Sequence, residues 1–179
     1  IGQQTESASE PPVFGLVNLD NGEYSDLAIS VMENAYGSMS AEELERHIIK
    51  ITIDGSVEDG EELISKMKER GITSTLVIDE NFTANIKNGS QGTIRTYFIA
   101  ESTGITGSLN SETLSVLIKM INAVLSEKLI SEEITDKEYE FLASPVKLGT
   151  SGTHTYINGK IVTGITPSDI NGALMTQTF

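Results

Sequence analysis

Leu63-Ile64-Ser65-Lys66-Met67-Lys68-Glu69-Arg70-Gly71 runs through Ile72-Thr73 into Ser74-Thr75-Leu76-Val77-Ile78, and the reading of this passage decides the fold. Leu63, Ile64 and Met67 recur at the spacing of one helical face, while Lys66, Lys68 and Arg70 gather where a helix carries its negative dipole end. Gly71 can adopt the left-handed conformation that ends a helix, and Ser56 with Asp59 offers a capping pair at its start. Ser74 to Ile78 then reads as a strand. A helix delivered straight into an apolar strand is the second half of a βαβ unit.

Upstream, the same alternation continues. Ile48 to Ile53 is β-branched and nearly continuous, so it reads as a strand, and Ser40 with Glu43 forms a capping box for a short helical turn before it. Val13-Phe14-Gly15-Leu16-Val17 reads as a short buried strand, closed by the turn residues Asn18 to Gly22. A helix should follow, with Ser25 as cap, Leu27, Val31 and Ala35 on one face and Gly37 at its end. Three strands and two helices in this order predict a βαβαβ-like N-terminal part with parallel pairing and right-handed crossovers.

Downstream, Thr93 to Ala100 alternates with period two and reads as a half-buried strand near a sheet edge, paired antiparallel. A long helix follows Asn110, with Leu114, Leu117, Ile118, Ile121, Leu125 and Leu129 at spacings of three and four. Beyond Phe141 come short strands: Val146 to Leu148, then Tyr156-Ile157 and Lys160-Ile161 around the turn dipeptide Asn158-Gly159. Thr166, Pro167 and Asp169 suit the start of a last short helix through Leu174. The expected fold class is α/β: a mixed sheet with a βαβαβ-like N-terminal part, helices packed on it and a C-terminal β-hairpin. Residues 1–12, polar and ending in Pro11-Pro12, read as a linker, and 13–179 as one domain.

Composition narrows the function. Of 179 residues, 38% are hydrophobic and 21% charged, a globular balance. A net charge of -14, from 26 acidic against 12 basic side chains, repels phosphate backbones and argues against a nucleic-acid partner. No cysteine is present, which removes disulfides, thiolate metal sites and cysteine nucleophiles. No stretch reaches the roughly 20 apolar residues of a membrane helix. The chain begins at Ile1 and stops at Phe179, the ends expected of a piece of something longer.

The search for chemistry returns weak candidates. His47 and His154 are far apart and lack metal-binding spacing. Gly149-Thr150-Ser151-Gly152-Thr153 lacks the lysine of a phosphate loop and the spacing of a nucleophile elbow, so it reads as a turn. Asp20, Asn21, Glu23 and Asp26 gather where the first strand meets the first helix, the end of a parallel sheet at which ligands sit. Gly22 stands where an ion-binding loop needs an oxygen, so a turn with a helix cap is the better reading, and whether an ion binds near Asp20 and Asp26 stays open. The pairs Glu42-Glu43, Glu61-Glu62 and Glu132-Glu133 fall on helices, where adjacent side chains diverge. Asn81-Phe82-Thr83 and Asn88-Gly89-Ser90 fit the glycosylation pattern of exposed extracytoplasmic loops. No residue is assigned a catalytic, cofactor-binding or metal-ligating role.

A series of segments carries a resemblance: Leu63 to Gly71 before an apolar strand, then Tyr97 to Glu101, a polar loop and the long helix from Ser111, follow the element order of one family, and two further segments are more specific. Gly15-Leu16-Val17-Asn18-Leu19-Asp20-Asn21-Gly22, and Leu76-Val77-Ile78-Asp79-Glu80-Asn81-Phe82-Thr83-Ala84-Asn85-Ile86 with Gly89, are similar to the opening strand and the "Ile-Pro-x-x-Phe-Ser" segment of the same family. That family is the large outer domain of type-2 ABC transporter permeases, the drug, ion and polysaccharide exporters. The departure is Asp79, where the family has proline. The resemblance covers most of the chain and its motif is structural, with no catalytic residue to carry over. It implies a domain on the extracytoplasmic side of the cell membrane, inserted between the first two membrane helices of the same polypeptide. It further implies a second permease subunit, a separate cytoplasmic ATP-binding subunit, no cofactor and no enzymatic activity of its own. The expected role is an outer vestibule or lid for export; the alternative is a cell-surface docking or receptor module of a non-transporting membrane protein.

Overall fold

The computed structural model describes residues 11–54, 60–100, 109, 111–132, 139–149, 154–157 and 160–163. Strand β1 (Phe14–Asn18) is flanked by β2 (Ile48–Lys50) and β3 (Ser74–Ile78), both parallel to it. β3 pairs antiparallel with β4 (Gly92–Ala100), so that Leu76 faces Thr96 across the ladder. The other edge of β4 is shared: β5 (Val146–Leu148) runs parallel along Gly92 to Ile94, and β6 (His154–Ile157) parallel along Tyr97 to Ala100. β7 (Lys160–Thr163) closes an antiparallel hairpin with β6. The result is a seven-stranded mixed sheet in the order β2-β1-β3-β4-β6-β7, with β5 also on β4.

Helices cover both faces because every central strand is apolar on both sides. Phe14, Leu16, Leu76, Ile78, Ile94 and Phe98 form one face. They bury α1 (Glu23–Asn34), α4 (Phe82–Lys87) and α5 (Ser111–Ser131) through Met32, Ile86, Ile121 and Leu125. Val17, Val77, Tyr97 and Ile99 form the opposite face, covered by α3 (Glu61–Glu69) through Leu63, Ile64 and Met67. The remaining helices are α2 (Ala41–His47), held by the reciprocal Ser40–Glu43 capping box, and α6 (Tyr139–Ala143).

Several expectations hold: the α/β class with a βαβαβ-like N-terminal part, strand β3 residue for residue, the long helix after Asn110, and the hairpin strands around 158–159. Others are corrected. α1 begins at Glu23, not after Ser25, because Gly22 is the capping position and Ser25 sits inside the first turn. The helix closes at Asn34, and Gly37, with φ at 67°, ends the turn beyond it. β2 stops at Lys50 instead of Ile53, although the Ile51 N–H still reaches the Leu16 carbonyl at 2.9 Å. α3 starts behind Gly60, and the Ser56–Asp59 pair lies outside the described residues. β4 is interior, not near an edge: its alternation was legible, but β5 and β6 cover the side that the sequence leaves open. His154 opens strand β6 and does not stand in a loop. The expected last helix from Thr166 and the linker up to residue 10 lie outside the described residues.

Candidate functional site

Among the described residues, a dense polar cluster lies where β1 gives way to α1, against the start of α4. The sequence Asn18-Leu19-Asp20-Asn21-Gly22 must reverse direction in four residues, and Asn21 does so in the left-handed region, with φ at 51°. The Asn18 side chain accepts from the Asp20 N–H at 3.1 Å and the Asn21 N–H at 3.4 Å, a local turn of the kind short polar side chains build. Asp20 then points across to α4. Its Oδ1 accepts the Thr83 N–H at 3.0 Å, and its Oδ2 accepts the Gly22 N–H at 3.1 Å and the Thr83 hydroxyl. Thr83 Oγ1 in turn accepts the Tyr24 N–H at 3.3 Å. One carboxylate thus satisfies amides at the starts of two helices, α1 and α4, that begin 59 residues apart in the chain.

This use of Asp20 sets the place of the acidic cluster after β1. Glu23 turns away to pair with Lys87 at 2.7 Å, Asp26 is exposed, and Asp20 spends both oxygens on protein donors. Among the described residues no three His, Asp or Glu side chains converge as a metal site would need. The structure therefore does not bring the sequence cluster together; it makes Asp20 a clamp between β1 and α4.

Beside it, Tyr24 is fully buried and its hydroxyl donates to Glu132 Oε2 at 2.8 Å. Lys128 holds the same carboxylate at 2.9 Å and lies 6.0 Å from the Tyr24 ring centre. Burial, then the adjacent Glu132 carboxylate, pushes the Tyr24 hydroxyl well above the ordinary phenol range, so it stays a neutral donor. This group ties α1 to the C-terminal end of α5.

Asp79, where the resembled family has proline, follows β3. Its N–H donates to the Thr93 carbonyl at 3.1 Å, a bond proline cannot make, and its carbonyl accepts the Phe82 N–H at 3.1 Å. Its carboxylate holds Arg95 at 2.8 Å. Burial raises the Asp79 pKa and the guanidinium pulls it back.

The other candidates take structural places. His47 ends α2, its Nδ1 2.8 Å from the Glu43 carbonyl and its ring 5.8 Å from Tyr36. Glu42 pairs with Arg46 and Glu62 with Lys66, whereas Glu43 caps α2, and its bonds to Ser40 hold it below the usual carboxylate range. Glu133, Thr150 to Thr153 and the Asn158-Gly159 turn lie outside the described residues. Asn81 and Asn88 are both exposed, but they flank α4 and do not lie on a free loop, and the Thr83 hydroxyl of the first pattern is engaged by Asp20. A groove of about 500 Å³ opens beside the edge strand β2, lined by Glu33, Leu44, Glu45, Ile48, Lys50 and Arg70. Lys50 and Glu33 pair across it at 3.3 Å, which leaves ion pairs and aliphatic side chains and no nucleophile beside a base.

Sequence reading missed α4 and the Asp20–Thr83 clamp. The signal was present in part: Asn81 before Phe82 and Ile86 is a cap before two apolar residues one helical turn apart. No sequence rule ties Asp20 to a residue so far along the chain.

Comparison with known proteins gives the frame for this geometry. A crystal structure of a domain attributed to an ABC type-2 transporter from Thermotoga maritima MSB8 superposes with a TM-score of 0.64. It shares 18% identity over 92% of this chain and 99% of that one, a likeness that shows the fold. No curated protein sequence matches. The family described as "ABC-2 family transporter protein" matches residues 1–166, and the chain belongs to that family.

Proposed function

We propose that this chain is the extracytoplasmic domain of an ABC exporter permease and serves export as an outer vestibule or lid, without catalysis of its own. The observation that carries the reading is the family match over residues 1–166, which makes the chain part of a membrane transporter. Its described part is an α/β domain in which no helix is long and apolar enough to cross a membrane. α5, the longest of these at 21 residues, buries Leu117, Ile121, Leu125 and Leu129 in the core.

Membrane helices of the same polypeptide, a second permease subunit and a cytoplasmic ATP-binding subunit are the partners this role requires. A domain of this kind acts only through contacts that differ between the resting and the ATP-bound transporter, because a ligand or nucleotide shifts an equilibrium by its differential interaction with the two states. The two-sided core supplies a stiff body for such contacts.

The experiment is site-directed cross-linking between exposed positions of this domain and the membrane helices, in the resting and in the ATP-trapped transporter. The proposal expects the pattern of cross-linked pairs to change with state. An identical pattern in both states removes the lid.

A further inference from the structure

In the groove beside β2, two opposite charges face one cavity and do not meet. β2 ends the row of strands, and Leu44 of α2 packs with the core on one face of the sheet while α3 covers the other. The groove therefore follows the outer edge of β2 between α2 and the end of α3, with Leu44, Ile48 and Ile49 as its aliphatic lining. Glu33 and Lys50 neutralise each other at 3.3 Å. Glu45, from α2, and Arg70, the last position of α3, have no ion-pair partner among the described residues, although both line the groove. The Arg70 guanidinium makes a long bond, 3.5 Å, to the Lys50 carbonyl.

Two carboxylates, Glu33 and Glu45, against two cations, Lys50 and Arg70, leave the groove electrically neutral in a chain whose net charge is -14. A polyanion would meet the two carboxylates and a polycation the two basic groups, so a molecule that carries one charge of each sign is the complement. The volume of about 500 Å³ lies within the range of small-molecule sites and holds an amino acid or a dipeptide.

We infer that this groove binds a small aliphatic zwitterion, an amino acid with a branched apolar side chain or a dipeptide of that kind. Its carboxylate lies on Arg70, whose planar fork suits a carboxylate, and its ammonium on Glu45. Its apolar side chain covers Leu44, Ile48 and Ile49, which supplies the selectivity for an aliphatic body. Glu45 and Arg70 are exposed, so each ionic contact is weak, and the Kd is on the order of 1 mM. The inference rests on the groove alone and not on the export reading.

The test is titration of the isotopically labelled chain, followed by its amide NMR signals. Leucine is expected to shift the signals of Leu44, Ile48, Ile49 and Arg70 along one saturating curve. Leucinamide lacks the carboxylate, isocaproate the ammonium and glycine the aliphatic group, and each is expected to bind roughly fivefold more weakly. Arg70→Gln should abolish the preference for leucine over leucinamide, and Glu45→Gln the preference over isocaproate. Glu42→Gln, which removes a carboxylate paired with Arg46 and not part of the groove lining, should leave both preferences as they are. Absence of a saturating shift at tens of millimolar leucine overturns the proposal. So does equal affinity for leucine and its three analogues, and so do preferences that survive both Arg70→Gln and Glu45→Gln.

Discussion

At the scale of single residues, Asp20 and Thr83 matter most, because between them they join the N-terminal ends of two helices to the end of a strand. Removing the Asp20 carboxylate orphans the Gly22 and Thr83 amides, so Asp20→Ala is expected to destabilise by about 2–3 kcal/mol. Thr83→Val keeps the shape but loses the hydroxyl, and should cost about 1–2 kcal/mol. Because both changes break the same bond, denaturant unfolding of the double variant should show a smaller loss than the sum, by about 1 kcal/mol. An additive result would mean that the two side chains are not coupled. Arg95 is the second case. Arg95→Met leaves the part-buried Asp79 carboxylate without its counter-charge and should cost about 1 kcal/mol near neutral pH. The sign with pH follows from Asp79. Its folded pKa is raised by burial and rises further without Arg95, so the cost is full where the carboxyl is ionised and shrinks as pH falls and the carboxyl protonates. Unfolding of wild type and variant across the acid range checks it.

Among the elements, those whose pattern is local were legible from sequence. β3 is Ser74 and four apolar or β-branched residues after a left-handed Gly71, α5 repeats its apolar residues at three and four, and Ser40 with Glu43 forms the capping box that opens α2. What could not be read was set by distant partners. β4 alternates like an edge strand, and its interior place depends on β5 and β6, about fifty residues later. β2 is cut to three residues although its sequence would support six: it pairs with Phe14 to Leu16 and leaves β1 to run on to Asn18 without it. α4 is six residues long, too short for a periodic signal, and stands because Phe82 and Ile86 pack under it. The acidic cluster after β1 read as a turn with a helix cap, and only the position of Thr83 shows that Asp20 also reaches α4. One element-scale prediction follows from the seat of α4. A Cβ added at Gly92 would stand 2.7 Å from Phe82 Cδ2 and 2.9 Å from Ile86 Cδ1. Gly92→Ala should therefore push α4 from β4 and destabilise by about 1–3 kcal/mol, read from the unfolding midpoint, with an unchanged midpoint as the contrary outcome.

For the whole molecule, the two-sided core and membership of the ABC-2 transporter family fit the proposal of a stiff body that works by what its surface touches. The polar clusters that catch the eye hold elements together: Asp20 with Thr83 joins the end of β1 to α4, and Tyr24 with Glu132 joins α1 to the end of α5. The proposed export role puts function on the outside, and the side of the membrane on which that outside stands is the central claim. The measurement that tests it is labelling of Glu42→Cys, exposed on α2, by a membrane-impermeant maleimide in intact cells that express the parent transporter, against the unsubstituted transporter as background. The account predicts labelling without permeabilisation, at the level reached after it. Labelling that occurs only once the membrane is broken would contradict it.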